Sequence, residues 1–221
     1  MSRLSWDQTG EREYETGIEQ VALFPMDNGA YADGVAWNGV TALNITPSGA
    51  EPTPLYANNR KYLTLMSVEE LGGTIEAYMY PDEFKACNGE AAITNGVYLG
   101  QQTRKTFGLV GKSIIGNDTE LNAHGYKLHI IYGALASPSE QAHATVNESP
   151  EIDPMSWEFT TTPVEVKGYE PTSYVSIDST KVDAEKLATL EAILYGTEEA
   201  EPRLPLPDEI ATIMGNEAAA G

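Results

Sequence analysis

The stretch Gly108-Leu-Val-Gly-Lys-Ser113 comes nearest to a chemical signature in this chain, because Gly-Lys-Ser closes the loop that cradles nucleotide phosphates. That loop needs another glycine with four residues between it and Gly111, and Thr106 holds the position. The residues that follow, Ile114-Ile-Gly-Asn-Asp118, do not open the helix whose N-terminus would receive the phosphate. His124, His129 and His143 stand five and fourteen residues apart. Metal-binding histidines on a helix face sit four apart and those on a strand face two apart, so no metal site is expected.

The remaining candidates are equally bare. Cys87 is the sole cysteine, which excludes an intramolecular disulfide and a thiolate cluster within one chain, and no histidine lies near it in sequence. A Gly-x-Ser-x-Gly elbow is absent. A glycoside hydrolase needs two carboxylates across a cleft, one with a raised pKa. With 33 acidic residues, close pairs such as Asp82-Glu83 and Glu198-Glu199 arise without any chemical purpose. Glu158, between Trp157 and Phe159, is the best single acid and reads as a solvated strand-face residue. Twelve tyrosines and three tryptophans could line a sugar site, but Tyr78, Tyr80, Tyr132 and Trp157 read first as core or interface residues. No catalytic, cofactor-binding or metal residues are assigned, and no enzymatic activity is expected.

The elements that would position any such residues are mainly strands. Residues 1–34 read as an irregular N-terminal arm with one apolar patch, Val21 to Phe24. A strand is expected from Val35 to Ile45, broken by the turn pair Asn38-Gly39. Thr46 to Arg60, with three prolines, reads as a long loop. Further strands are expected at Tyr62 to Met66, Thr74 to Tyr80, Arg104 to Ile115, Tyr126 to Leu135, Gln141 to Val146, Met155 to Thr160 and Tyr174 to Ile177. Alternating Ile75, Ala77 and Met79, and Met155, Trp157 and Phe159, mark their buried faces. Residues 81–103 read as a second long connection. One helix is expected over 184–195, capped by Asp183, with Leu187, Leu190, Ile193 and Leu194 facing the core and Gly196 ending it. Residues 197–221 read as an extended tail, with a last turn or anchoring contact near Ile210, Ile213 and Met214. The architecture expected is a β-sandwich or open barrel over 35–196 with one flanking helix, long loops and terminal arms.

Composition narrows the partners. The chain of 221 residues carries 13 basic and 33 acidic residues, a net charge of −20, which argues against a nucleic-acid reader. Its start lacks the apolar stretch of a secretory signal, and no apolar run is long enough for a membrane span. Synthesis in the cytoplasm is therefore expected, and the glycosylation patterns at Asn117 and Asn147 carry no weight.

Several segments resemble the major tail tube proteins of long, non-contractile-tailed bacteriophages, the siphophages of Gram-positive bacteria. They are Asp7-Gln-Thr-Gly-Glu-Arg12, Tyr14-Glu-Thr-Gly17, Gly34-Val-Ala-Trp-Asn-Gly39 and Tyr80-Pro-Asp-Glu-Phe84. Further on come Ile115-Gly-Asn-Asp118, Gly125-Tyr-Lys-Leu-His129, Ala136-Ser-Pro-Ser139 and Trp157-Glu-Phe-Thr-Thr-Thr-Pro163. They run in the family's order over roughly residues 6–200. The resemblance implies a structural virion protein that forms hexameric rings, stacked into a tube through which double-stranded DNA passes without specific binding. It also implies tape-measure, tail terminator and distal tail proteins as partners, and no cofactor. A long loop and the arms bridge subunits in such tubes. That role is expected of residues 46–61, in particular Pro47, Glu51, Pro54, Leu55, Tyr56, Arg60 and Lys61, with the 1–34 arm as second candidate. Lys127 and His129 are expected on a face toward a watery lumen, and the lumen is expected to be net acidic. The alternative expectation is a carbohydrate-binding β-sandwich of a baseplate or adhesion apparatus, which needs an exposed aromatic platform.

Overall fold

Three adjacent strands bury side chains on both faces, and this decides the architecture. The structure, a computed structural model, describes residues 3–141, 143, 145 and 152–215. The first strands are β1 (Glu13–Asp27), β2 (Ala30–Tyr31), β3 (Val35–Ala36), β4 (Val40–Gly49), β5 (Pro52–Ala57), β6 (Arg60–Met66) and β7 (Glu69–Ala77). Then come β8 (Ala91–Thr94), β9 (Val97–Leu99), β10 (Phe107–Asn117), β11 (Leu121–Ala136), β12 (Met155–Thr161) and β13 (Tyr174–Asp178). The helices are α1 (Phe84–Cys87), α2 (Ala184–Tyr195) and α3 (Pro207–Met214). At 48% strand the chain is mainly β, about twice the share of an average domain.

One antiparallel sheet of nine strands runs β2-β1-β10-β11-β12-β7-β4, with β3 added to β1 and β13 to β11. Along its middle, alternate residues enter different cores. Val21, Leu23, Leu109 and Ile131 meet Trp37, Ile75, Phe84, Trp157 and Phe159 on one side. Ala22, Phe24, Val110, Leu128, Ile130 and Tyr132 meet Leu187, Leu190, Leu194, Leu204 and Ile210 on the other. Burial on both faces explains why β10 reads as a continuous apolar run rather than an alternating one.

The sheet divides at β11. Lys127 to Ile131 pair with β13, whereas Ala134 to Ala136 pair with β12. Gly133 sits at the division with φ +61, and a Cβ there would lie 2.2 Å from the Thr162 carbonyl oxygen. Beyond it, β12, β7 and β4 cross over the first core and face β1 and β10, which gives the sandwich-like layering. Phe84 plugs that layer, with ring centroids 4.5 Å from Trp37, 5.3 Å from Trp157 and 5.6 Å from Phe107. Each such pair adds about 0.5–1.5 kcal/mol beyond its burial.

Several sequence expectations are corrected here. Residues 1–34 are not irregular throughout: β1 spans fifteen of them, because Val21 to Phe24 supply apolar side chains to both cores. Thr46 to Arg60 is not a loop. Prolines exclude a central strand, but β4 is an edge and β5 pairs only with β6, so Pro47, Pro52 and Pro54 forfeit no ladder that a neighbour needs. Asn38-Gly39 is a turn, yet it joins no hairpin, since β3 pairs with β1 and β4 with β7. The connection 81–103 holds α1 and the β8–β9 hairpin. Met79 is exposed beyond the end of β7. The strand expected at Gln141 to Val146 falls partly outside the described residues.

The helix expectation holds: α2 spans Ala184–Tyr195, and the Asp183 carboxylate accepts from the Glu185 and Lys186 amides at 3.0 and 3.1 Å. Gly196 follows at φ +78 and ψ 173, outside the left-handed helical region. The segment after it is more than an extended tail. Arg203 N–H donates to the Ile193 carbonyl, Tyr132 Oη–H to the Pro205 carbonyl at 2.8 Å, and α3 buries Ile210 against Leu204 and α2. Three helices therefore stand where one was expected. No helix among the described residues is long and apolar enough to cross a membrane.

Candidate assembly surface and polar cluster

The β5–β6 ribbon leaves the body of the protein. β4 and β7 stay paired out to Gly49 opposite Glu69, and then the chain bends at Gly49 (φ +79) and Ala50 (φ +52). A Cβ on Gly49 would sit 2.6 Å from the Val68 carbonyl oxygen, so the bend is tightly fitted. The ribbon closes at Asn58 and Asn59, both left-handed, the backbone of a two-residue hairpin turn that asparagine tolerates. Every residue from 51 to 70 is exposed. Among them are Tyr56 at 71%, Tyr62 at 73%, Met66 at 70% and Val68 at 82% exposure.

The residues expected to bridge subunits lie here together. Glu51, Pro54, Leu55, Tyr56, Arg60 and Lys61 are on the ribbon or its base, and Pro47 is on β4 at the neck. Sequence reasoning missed Tyr62, Leu63, Leu65 and Met66, which the pairing Leu55 with Leu63 and Thr53 with Leu65 brings beside them. Their alternation with Lys61 and Thr64 reads equally as a strand with one buried face, so only the absence of a covering layer distinguishes them.

Other edges are also open. β4 pairs only with β7, β13 only with β11, and the outer side of β1 pairs at Ala22, Leu23, Met26 and Asp27 alone among the described residues. Such edges offer unpaired backbone donors and acceptors to another strand.

The residues that looked chemical resolve into structural roles. Gly108 to Ser113 lie within β10. Lys112 is buried, 2.9 Å from Glu191 Oε1 but off the line of a hydrogen bond, with its ammonium 4.0 Å from the Tyr126 ring centre. Burial and the nearby Glu191 raise the Tyr126 phenol to about 12. Burial likewise pushes the Cys87 thiol to about 12, far from a reactive thiolate. Glu158 is exposed on β12, as the sequence suggests. No group of three metal-ligating side chains occurs among the described residues.

His129 has the richest surroundings. Its Nε2 lies 2.7 Å from Ser113 Oγ and 3.2 Å from Glu15 Oε1, and its Nδ1 lies 2.6 Å from Tyr174 Oη. Ser113 Oγ–H also reaches Glu15 Oε1 at 2.7 Å, and Lys127 binds Glu15 Oε2. A nucleophilic triad needs its acid on the far ring nitrogen, where it would orient the base. Here the carboxylate competes for the serine on the near side, and a phenol occupies the far one. The cluster thus ties β1, β10, β11 and β13 together rather than activating Ser113. Burial lowers the His129 pKa, with Glu15 opposing, so the ring is neutral near pH 7. Its side chain is only 12% exposed and Lys127 is 28% exposed, so His129 is more enclosed within one chain than a lumen-facing residue would be.

No protein-family model matches this chain, and comparison with curated proteins returns no match.

Proposed function

We propose that the chain is the repeating subunit of a non-contractile phage tail tube: a structural protein that forms hexameric rings and stacks them into a conduit for double-stranded DNA. The observation that carries this reading is the ribbon from 51 to 70, apolar yet fully exposed on an otherwise well-buried sandwich. A two-stranded hairpin with no third strand or helix behind it is marginal in water, so such an element requires a partner surface. The open edges of β1, β4 and β13 supply further pairing surface, and closure into a ring would remove unpaired edges.

Charge fits the same reading. Six copies would carry about 120 excess negative charges, and an acidic lumen lets DNA pass without the salt-dependent sticking that lysine and arginine would cause. Assembly would take place in the host cytoplasm, on a tape-measure protein and between terminator and distal tail proteins, and the product would be part of the virion tail.

Negative-stain electron microscopy of the purified protein over a concentration series tests this directly. Hollow tubes or stacked rings are expected. Compact monomers at every concentration would refute it and favour the carbohydrate-binding alternative, for which Tyr56 and Tyr62 would form the aromatic platform.

A further inference from the structure

We propose that the β5–β6 ribbon is a two-sided wedge seated between two further copies of this chain, one covering each face. This deepens the assembly reading and rests on it. The pairing register places Thr53, Leu55, Leu63 and Leu65 on one face. Pro52, Pro54, Tyr56, Thr64 and Met66 fall on the other, and the bulge between Leu55 and Tyr56 adds Tyr62 to it. Leu55, Leu63 and Leu65 are 42%, 38% and 53% exposed, and Tyr56, Tyr62 and Met66 exceed them. Neither face is the polar side of an amphipathic ribbon.

One flat partner surface can cover only one of these faces. A single copy would have to offer a slot for the whole ribbon, whose dimensions are about 20 by 10 by 10 Å, or roughly 2000 Å³. The grooves beside β1 measure 610 and 460 Å³, less than a third of that. A slot formed between two neighbouring copies avoids the mismatch.

Charge points to copies of the same chain. The tip carries Arg60 and Lys61, while the chain as a whole is −20, so the tip is attracted to the body of any other copy. The close fit at Gly49 sets the angle at which the ribbon is presented. If two adjacent copies must be in place before either face is buried, a ring is the smallest acceptor, and rings form before they stack.

Two triple variants test the wedge: Leu55→Ser with Leu63→Ser and Leu65→Ser, and Tyr56→Ser with Tyr62→Ser and Met66→Ser. Each is expected to raise the critical concentration for tube formation at least tenfold while leaving the melting temperature of the monomer unchanged. In parallel, a photo-crosslinking residue placed at position 63 or 62 in the wild-type background is expected to capture two different surfaces of other copies. Wild-type tubes with one triple variant assembling normally, or both crosslinks landing on one surface, would overturn the wedge and leave tube assembly standing. A wild-type protein that stays monomeric at every concentration would overturn both.

Discussion

Replacing Gly133 by alanine tests the division of the sheet at β11. The backbone there has φ +61, which costs an L-residue about 1–2 kcal/mol. The added Cβ would lie 2.2 Å from the Thr162 carbonyl oxygen, so the two backbones must part by about 1 Å to reach ordinary contact. That movement strains two hydrogen bonds, Thr162 N–H to the Gly133 carbonyl at 3.0 Å and Gly133 N–H to Tyr31 Oη at 2.9 Å. Each is worth about 1 kcal/mol net, which brings the expected loss to about 3–4 kcal/mol. Gly168 provides the control: it has φ +82, and a Cβ there meets nothing within 4 Å, so Gly168→Ala should lose only the conformational part. Urea unfolding of both variants reads the difference, about 2 kcal/mol in favour of Gly168→Ala. Equal midpoints for the two would refute the claim that close packing at Gly133, rather than its dihedral alone, shapes the sheet.

Four further outcomes are expected. Asp183→Ala removes the carboxylate that accepts two amides at the start of α2 and should lower stability by about 1 kcal/mol, with Asp183→Asn largely restoring it in thermal unfolding. Lys112→Ala leaves Glu191 partly buried without its cation and should cost about 2–3 kcal/mol in urea; Lys112→Met combined with Glu191→Leu should recover most of it. Replacing residues 51–67 by a Gly-Gly turn should leave the urea midpoint within about 0.5 kcal/mol of wild type, because nothing there is buried against the body.

The histidines should respond to pH in opposite senses. His129 is held below its ordinary value by burial, so the unfolded chain takes up that proton first, and its contribution is lost as pH falls from about 6.5 toward the folded pKa. His124 is held above its ordinary value by its hydrogen bond to Glu120, so its contribution is full below about 6.5 and fades as pH rises through the folded pKa. Between pH 7.5 and 5.5, His129→Gln should therefore lose less stability on acidification than wild type, and His124→Gln should lose more. Identical pH profiles for the two variants would contradict both assignments.

Local patterns were legible wherever one structural period dominated. The alternation of Met155, Trp157 and Phe159 marked β12, and Asp183 with Leu187, Leu190 and Leu194 marked α2, because a cap and a stripe are properties of neighbours in sequence. The mainly β class followed from the same signals. Chemistry was correctly discounted at Gly108 to Ser113 from spacing alone, since a phosphate loop is itself a local object.

Tertiary structure decided the rest. That β1, β10 and β11 are buried on both faces depends on α2 and α3 covering one side and β12, β7 and β4 the other, and no single strand carries that information. The Glu15, Ser113, His129 and Tyr174 cluster joins residues as much as 159 positions apart through strand register. The ribbon shows the limit most clearly. Its prolines do not differ between a loop and an edge strand, and its tyrosines and leucines do not differ between a core and a docking face. Only the absence of a layer above and below residues 51–70 within one chain separates these cases, because burial belongs to the assembled neighbours and not to the segment itself.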